Sequence, residues 1–189
     1  MTSENSIILA DVFGRTPALI ALAQAIGAIK IIDPYQGRMM AFTDEAQAYQ
    51  YFVDKVGIDA YLDSVSLEIS ELSKPSTMIG FSVGASVLWR LSQNYQGKYI
   101  KRAIGFYGSQ IRHDLHITPR FAVQLILPKF EPYFAIEQLA QVVESKPLVS
   151  VLKTDYLHGF MNKCSVNFDE LGYQEHIKQL KKTINLDEQ

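Results

Sequence analysis

In the segment Gly80-Phe81-Ser82-Val83-Gly84 a serine stands between two glycines, each two positions away, behind the apolar run Thr77 to Phe81 and ahead of a helical pattern from Gly84 to Asn94. A nucleophile on a sharp strand-to-helix turn leaves no room for side chains at those two positions, which is the physical reason for the G-x-S-x-G pattern. The amino end of the helix and the N–H of Val83 would face the oxyanion of a tetrahedral intermediate. The chemistry indicated is acyl transfer. A tight turn that uses small residues only for packing accounts for the same five residues without chemistry.

A serine hydroxyl is a weak nucleophile until a base takes its proton, and the base needs a carboxylate to fix its tautomer. The chain has four histidines. His113 and His116 fall in the polar stretch Gln110 to Arg120, and His176 sits between Glu175 and Lys178 in the last helix, so each reads as a solvated surface residue. His158, in Tyr156-Leu157-His158-Gly159-Phe160, follows the last expected strand, at the sheet edge where a parallel sheet places its active site. It is the candidate base, with a structural loop histidine as the alternative. Glu131, in the loop after the expected strand Phe121 to Leu127, is the candidate acid; otherwise it is a helix-start carboxylate beside Pro132. Asp155, three residues before His158, is the rival acid.

These residues need a scaffold that brings strand ends together. Short apolar runs alternate with helical segments, the signature of an α/β fold with a mostly parallel central sheet and helices on both faces. Strands are expected at Ser6 to Ala10, Ala28 to Ile32, Thr77 to Phe81, Ile100 to Phe106, Phe121 to Leu127 and Leu148 to Lys153. Thr16 can cap a helix that has Pro17 at its first position and ends at Gly27. Further helices are expected at Asp44 to Val56, Asp59 to Leu72, Gly84 to Asn94, Phe134 to Val143 and Phe168 to Thr183. The stretch Ala18 to Ile29 reads as a buried helix and a following strand. Neither a repeat nor a linker interrupts the 189 residues, which fit one domain.

Composition narrows the function classes. With 48% hydrophobic and 20% charged residues the chain is globular, and its longest nearly apolar stretch is too short to span a bilayer. A net charge of −2, with dispersed basic residues, gives no footprint for nucleic acid. Cys164 is the single cysteine and reads as a small, half-buried residue, with no Cys/His spacing that suggests zinc. The amino terminus shows no basic region before an apolar run, so a cytoplasmic location is expected by default.

The combination of Asp11-Val12-Phe13-Gly14, Asp33-Pro34-Tyr35, Gly80-Phe81-Ser82-Val83-Gly84, Phe106-Tyr107-Gly108 and His158-Gly159-Phe160 resembles the dienelactone hydrolase family of α/β-hydrolases, from about Ile7 to Leu180. The resemblance implies a compact α/β-hydrolase fold that lacks the family's first antiparallel edge strands. It sets Glu131 on the position of the family's acid, usually aspartate, and Val12 where the second oxyanion N–H arises. It also shows departures. Ser82 replaces the cysteine of dienelactone hydrolase itself, Asp11 stands in place of a glutamate tied to that thiol, and Asn162 occupies the place of a substrate-binding arginine.

The expectation is a serine hydrolase of small carboxylic esters or lactones, with Ser82 as nucleophile, His158 as base and Glu131 orienting it. Val83 and Val12 would form the oxyanion hole. Phe13, Tyr35, Tyr107 and Phe160 would line a mostly neutral acyl pocket, while Arg15 and Arg38 are the loop cations that could hold a substrate carboxylate. No metal or organic cofactor is implied, and the partner is the small-molecule substrate, with a homodimer compatible. The alternative is a non-catalytic protein of the same fold that binds a ligand or a protein; thioesterase and peptidase chemistry would use the same triad.

Overall fold

The computed structural model describes residues 5–94 and 98–185. Six strands form one sheet: β1 (Asn5–Leu9), β2 (Lys30–Ile32), β3 (Ser76–Phe81), β4 (Ile100–Phe106), β5 (Ala122–Leu127) and β6 (Val149–Lys153), in the order β2-β1-β3-β4-β5-β6. Every pairing is parallel. No antiparallel strand occurs among the described residues. The chain steps outward from β1 to β2, then crosses back to β3 on the other side of β1. This reversal makes the carboxyl ends of β1 and β3 the switch point, where a crevice opens between diverging connections.

The strand side chains alternate between two cores, as period 2 requires. Ile7, Leu9, Met78, Ala103, Val123 and Leu125 enter one cluster, roofed by α2 (Glu45–Lys55), α3 (Gly57–Ser70), α4 (Val83–Asn94) and α5 (Ile136–Glu144). Ile8, Ile79, Ile104, Phe106 and Ile126 enter the other, under α1 (Pro17–Ile26) and α6 (Glu170–Asn185). Helices therefore cover both faces.

Local signals explain the helix bounds. Thr16 accepts from the N–H of Leu19, Pro17 is the first helical residue, and Gly27 ends α1 in the left-handed region at φ 71°. Asp44 caps α2 by accepting from Gln47 N–H. Gly57, at φ 74°, breaks the helical run between α2 and α3. The α1 segment differs from its expected burial: it is apolar almost all round, yet only Leu22, Ala23 and Ile26 are buried, and Ile29 is 61% exposed. Its Ala-rich sequence reflects helix propensity as much as burial. None of the described helices is long and apolar enough to cross a membrane.

Candidate active site

Ser82 is the single residue between β3 and α4, and it sits in the left-handed region at φ 50°. For a residue with a Cβ this costs about 1 kcal/mol. The surroundings hold it there. Its N–H donates to Phe106 O at 3.0 Å, and its own carbonyl accepts from Ser86 N–H at 3.1 Å. Glycines at 80 and 84 are needed for contact, since a Cβ on Gly80 would lie 2.7 Å from the Gly84 backbone and one on Gly84 only 2.5 Å from Leu9 O. The elbow thus packs α4 directly onto β1 and β3. Val83, first in α4, has no acceptor for its N–H within the helix.

The loops after β5 and β6 bring the other two residues to this turn. Ser82 Oγ lies 3.0 Å from His158 Nε2, and His158 Nδ1 lies 2.6 Å from Glu131 Oε1. Glu131 is buried at 6% exposure, whereas Asp155 is exposed on its side of the loop. The acid that touches the imidazole is Glu131. The loops are themselves tied, because Lys129 N–H donates to Tyr156 O at 2.7 Å and the Asn167 amide donates to His158 O at 2.9 Å. Gly159, at φ 87°, turns the chain directly behind the imidazole. The Tyr107 ring packs 4.9 Å from the His158 ring, closing one side of it.

Below the triad, the turn after β1 is held by several hydrogen bonds. Tyr35 Oη donates to Val12 O at 2.6 Å, and Phe13 N–H donates to Asp11 Oδ1 at 2.9 Å, so the Val12–Phe13 peptide is pinned at both ends. Tyr61, from α3, directs its hydroxyl to Ala10 O and Ile32 O. Asn162 Nδ2 donates to Asp11 Oδ2 at 2.6 Å. Burial pushes the Asp11 carboxyl up to about 6, with the nearby Glu45 carboxylate adding to the rise and the Phe13 and Asn162 hydrogen bonds and His158 opposing it.

Several expected placements differ. Phe160 is fully buried, stacked on Tyr156 at 5.0 Å and in edge contact with Phe106, so it forms core beneath the His158 loop and not a pocket wall. Tyr35 is also spent on structure, its ring filling the space beside Gly14. Phe13 and Tyr107 are buried beside the turn and the imidazole. His176 is not a surface residue: it is 3% exposed, bonds Gly172 O through Nδ1 at 2.8 Å and packs 4.9 Å from the Phe160 ring. Its polar sequence neighbours face outward while the helix turns it inward. Cys164 is exposed and not half-buried. Arg15 donates to Ile31 O and approaches Asp33, while Arg38 lies beside Tyr51 and Lys55, away from the triad.

One group at the triad has no signal of its own in the sequence. Glu45, the first residue of α2, places Oε1 3.9 Å from His158 Nε2. The Asp44 cap marks where the helix starts, but only the packing of α2 over the sheet edge aims that start at the histidine.

The architecture is shared with solved structures. A candidate dienelactone hydrolase of Klebsiella pneumoniae subsp. pneumoniae superposes with a TM-score of 0.71 over 97% of this chain and 88% of its own, at 13% identity. Mouse α/β hydrolase domain-containing protein 10 matches 98% of this chain and 91% of its own with a TM-score of 0.68, at 11% identity. This chain has the α/β-hydrolase fold. The dienelactone hydrolase-like promiscuous phosphotriesterase P91, from metagenomic libraries, shares it at a TM-score of 0.66 and 14% identity, over 97% of this chain and 86% of its own. No family model matches the sequence. Among curated proteins, the uncharacterized protein YczH of Bacillus subtilis (strain 168) is 36% identical over 94 residues, which is 49% of this chain. The match spans 45% of that protein's length.

Proposed function

We propose that the protein is a serine hydrolase that cleaves carboxylic esters through an acyl-enzyme. The observation that carries this reading is the unbroken chain from Ser82 Oγ through His158 to Glu131, with contacts of 3.0 and 2.6 Å, mounted on a strained elbow. The structural neighbours named dienelactone hydrolase and phosphotriesterase support hydrolytic chemistry on this fold.

Ser82 Oγ attacks the ester carbonyl carbon while His158 Nε2 takes its proton. The Glu131 carboxylate holds the proton on Nδ1, fixes the ring and stabilises the imidazolium. The N–H groups of Val83 and Val12 donate to the oxyanion, each worth about 3 kcal/mol of barrier by the usual effect of removing such a donor. Collapse breaks the bond to the alkoxy group, which leaves as the alcohol with the proton from His158. Water then enters, loses a proton to His158, attacks the acyl carbon and releases the acid, and Ser82 recovers its proton.

Neutral esters fit the site better than carboxylated ones. The groups around the nucleophile are acidic, Glu45 beside the imidazole and Asp11 beneath it, and Asn162 spends its amide on Asp11. Reaction of the folded protein with a fluorophosphonate probe, followed by peptide mapping, tests the reading. Labelling confined to Ser82 and lost in His158→Ala is the expected result. Absence of labelling at neutral pH would leave the fold as a binding scaffold.

A further inference from the structure

A cleft of about 210 Å³ opens between α2, the start of α3, α4 and the 3-10 turn that follows β4. Its floor is apolar and buried, with Phe52 and Val83 each 3% exposed and Ile58 beside them. Tyr49 and Val53, at 44% and 51% exposure, form its rim, and Tyr49 Oη is held by the Gln110 amide at 3.1 Å. Exposed apolar side chains scattered over a surface need no explanation, but these border one concave strip.

Val83, the residue after Ser82, is the lining residue of the strip that adjoins the triad, and Ser82, His158 and Glu131 themselves do not line it. The two long walls of the strip are helices whose first residues both stand beside the triad: α4 starts at Val83, next to Ser82, and α2 starts at Glu45, 3.9 Å from His158 Nε2. Tyr49 and Val53 lie one and two turns along α2. Arg90 lines the far end, seven residues beyond Val83, or about 10 Å along the helix. That is the reach of an extended chain of roughly eight carbons. Arg90 is not a free cation, since it contacts Asp114 through Nε and Asp59 through Nη1, both at 2.6 Å. The strip thus offers an unbranched apolar chain a floor that runs as far as the ion-paired Arg90, and it offers a terminal carboxylate no unpaired charge.

We propose that this cleft holds the acyl chain of the substrate, which makes unbranched neutral acyl esters of about six to eight carbons the preferred class. The proposal rests on Ser82 as the nucleophile, and it moves the acyl pocket from the Tyr35 and Phe160 region to the α2–α4 face.

The test is a chain-length series of p-nitrophenyl esters, acetate to dodecanoate, each below its aggregation limit, with wild type and Val53→Trp. Val53 is exposed, so the larger ring fills the strip without disturbing the core. A fully buried methylene is worth about fourfold in affinity; on an open-sided cleft, kcat/KM should rise about twofold per methylene from acetate to octanoate and then fall. Val53→Trp should abolish the rise beyond butyrate while its Tm stays within about 2 °C of wild type. A wild-type profile that is flat or falls from acetate, or a variant with the wild-type slope, overturns the proposal. Should no ester turn over, the triad reading fails by itself, and the cleft is then judged by octan-1-ol: a Tm increase in wild type that is absent in Val53→Trp supports it, and equal responses refute it.

Discussion

Asn162 Nδ2 donates to Asp11 Oδ2 at 2.6 Å, joining the loop after β6 to the turn after β1 beneath Ser82. Both groups are thereby committed to each other. The amide is unavailable to a substrate carboxylate, and the carboxylate is held in a buried place where desolvation raises it to about 6 from an ordinary 3.8.

That rise has a definite sign for stability. Between the two values the folded protein keeps the proton that the unfolded chain has lost, so the contribution of Asp11 is fully present below about pH 4, declines as pH rises through 6, and is gone above it. The loss is about 3 kcal/mol. Asp11→Asn removes the charge and nearly keeps the shape. The Tm of the variant minus that of wild type should therefore become more positive by about 5 °C or more between pH 4 and pH 7. A difference that stays constant or shrinks contradicts a buried carboxylate at this turn.

The two candidate acids separate in a pair of conservative variants. Glu131→Gln leaves the side chain in place but replaces an acceptor-only carboxylate with an amide that can donate to Nδ1, so the Nδ1–H tautomer and the charge that stabilises the imidazolium are lost, and kcat should fall by roughly 10³ to 10⁴. Asp155→Asn alters an exposed residue and should leave kcat within about twofold. Steady-state kinetics on a butyrate ester decide between them, and the reverse order would return Glu131 to the role of a helix-start carboxylate.

Glu45, with Oε1 3.9 Å from His158 Nε2, should disfavour anionic substrates if the proposed site is active. A carboxylate this close to the imidazole repels a second anion with about 1 kcal/mol across a half-exposed, salt-screened site. Glu45→Gln should raise kcat/KM about fivefold for a hemisuccinate ester at low salt and leave the matched neutral ester within about twofold. The gain should shrink as salt is added. Equal changes for both esters would place the anion discrimination elsewhere.

The elbow predicts a packing cost as well as a kinetic one. In Gly84→Ala the new methyl meets the Leu9 and Ala10 carbonyl oxygens, which are backbone and cannot rotate away. The midpoint of urea unfolding should drop by the equivalent of about 2 to 3 kcal/mol. An unchanged midpoint would mean that the glycine is not a steric requirement of the turn.

What could be read from the sequence follows the range of the forces involved. Thr16, Pro17 and Gly27 mark α1 because caps and breakers act within one turn, and β4 is legible from the apolar second half of Ile100–Phe106, Ala103 to Phe106, which runs into Gly108. The glycines at 80 and 84 announce a close approach, although not that Leu9 O is what they approach. Residues defined by long-range packing were less legible. His176 has polar sequence neighbours yet points into an aromatic cluster, and Phe160 belongs to the core although it sits in the loop of His158. The approach of Glu45 to His158 depends on how α2 crosses the sheet edge, which nothing in the 44 residues before it specifies.

The central claim is that Ser82 and His158 act as one chemical unit, and a double-mutant cycle on kcat/KM for p-nitrophenyl butyrate tests it most directly. Ser82→Ala and His158→Ala should each lower the value by several orders of magnitude, with circular dichroism and Tm showing the fold retained, and the double variant should be little worse than either single one because neither residue works without the other. Multiplying losses in the double variant, or substantial activity in Ser82→Ala, would contradict the account and place the chemistry elsewhere.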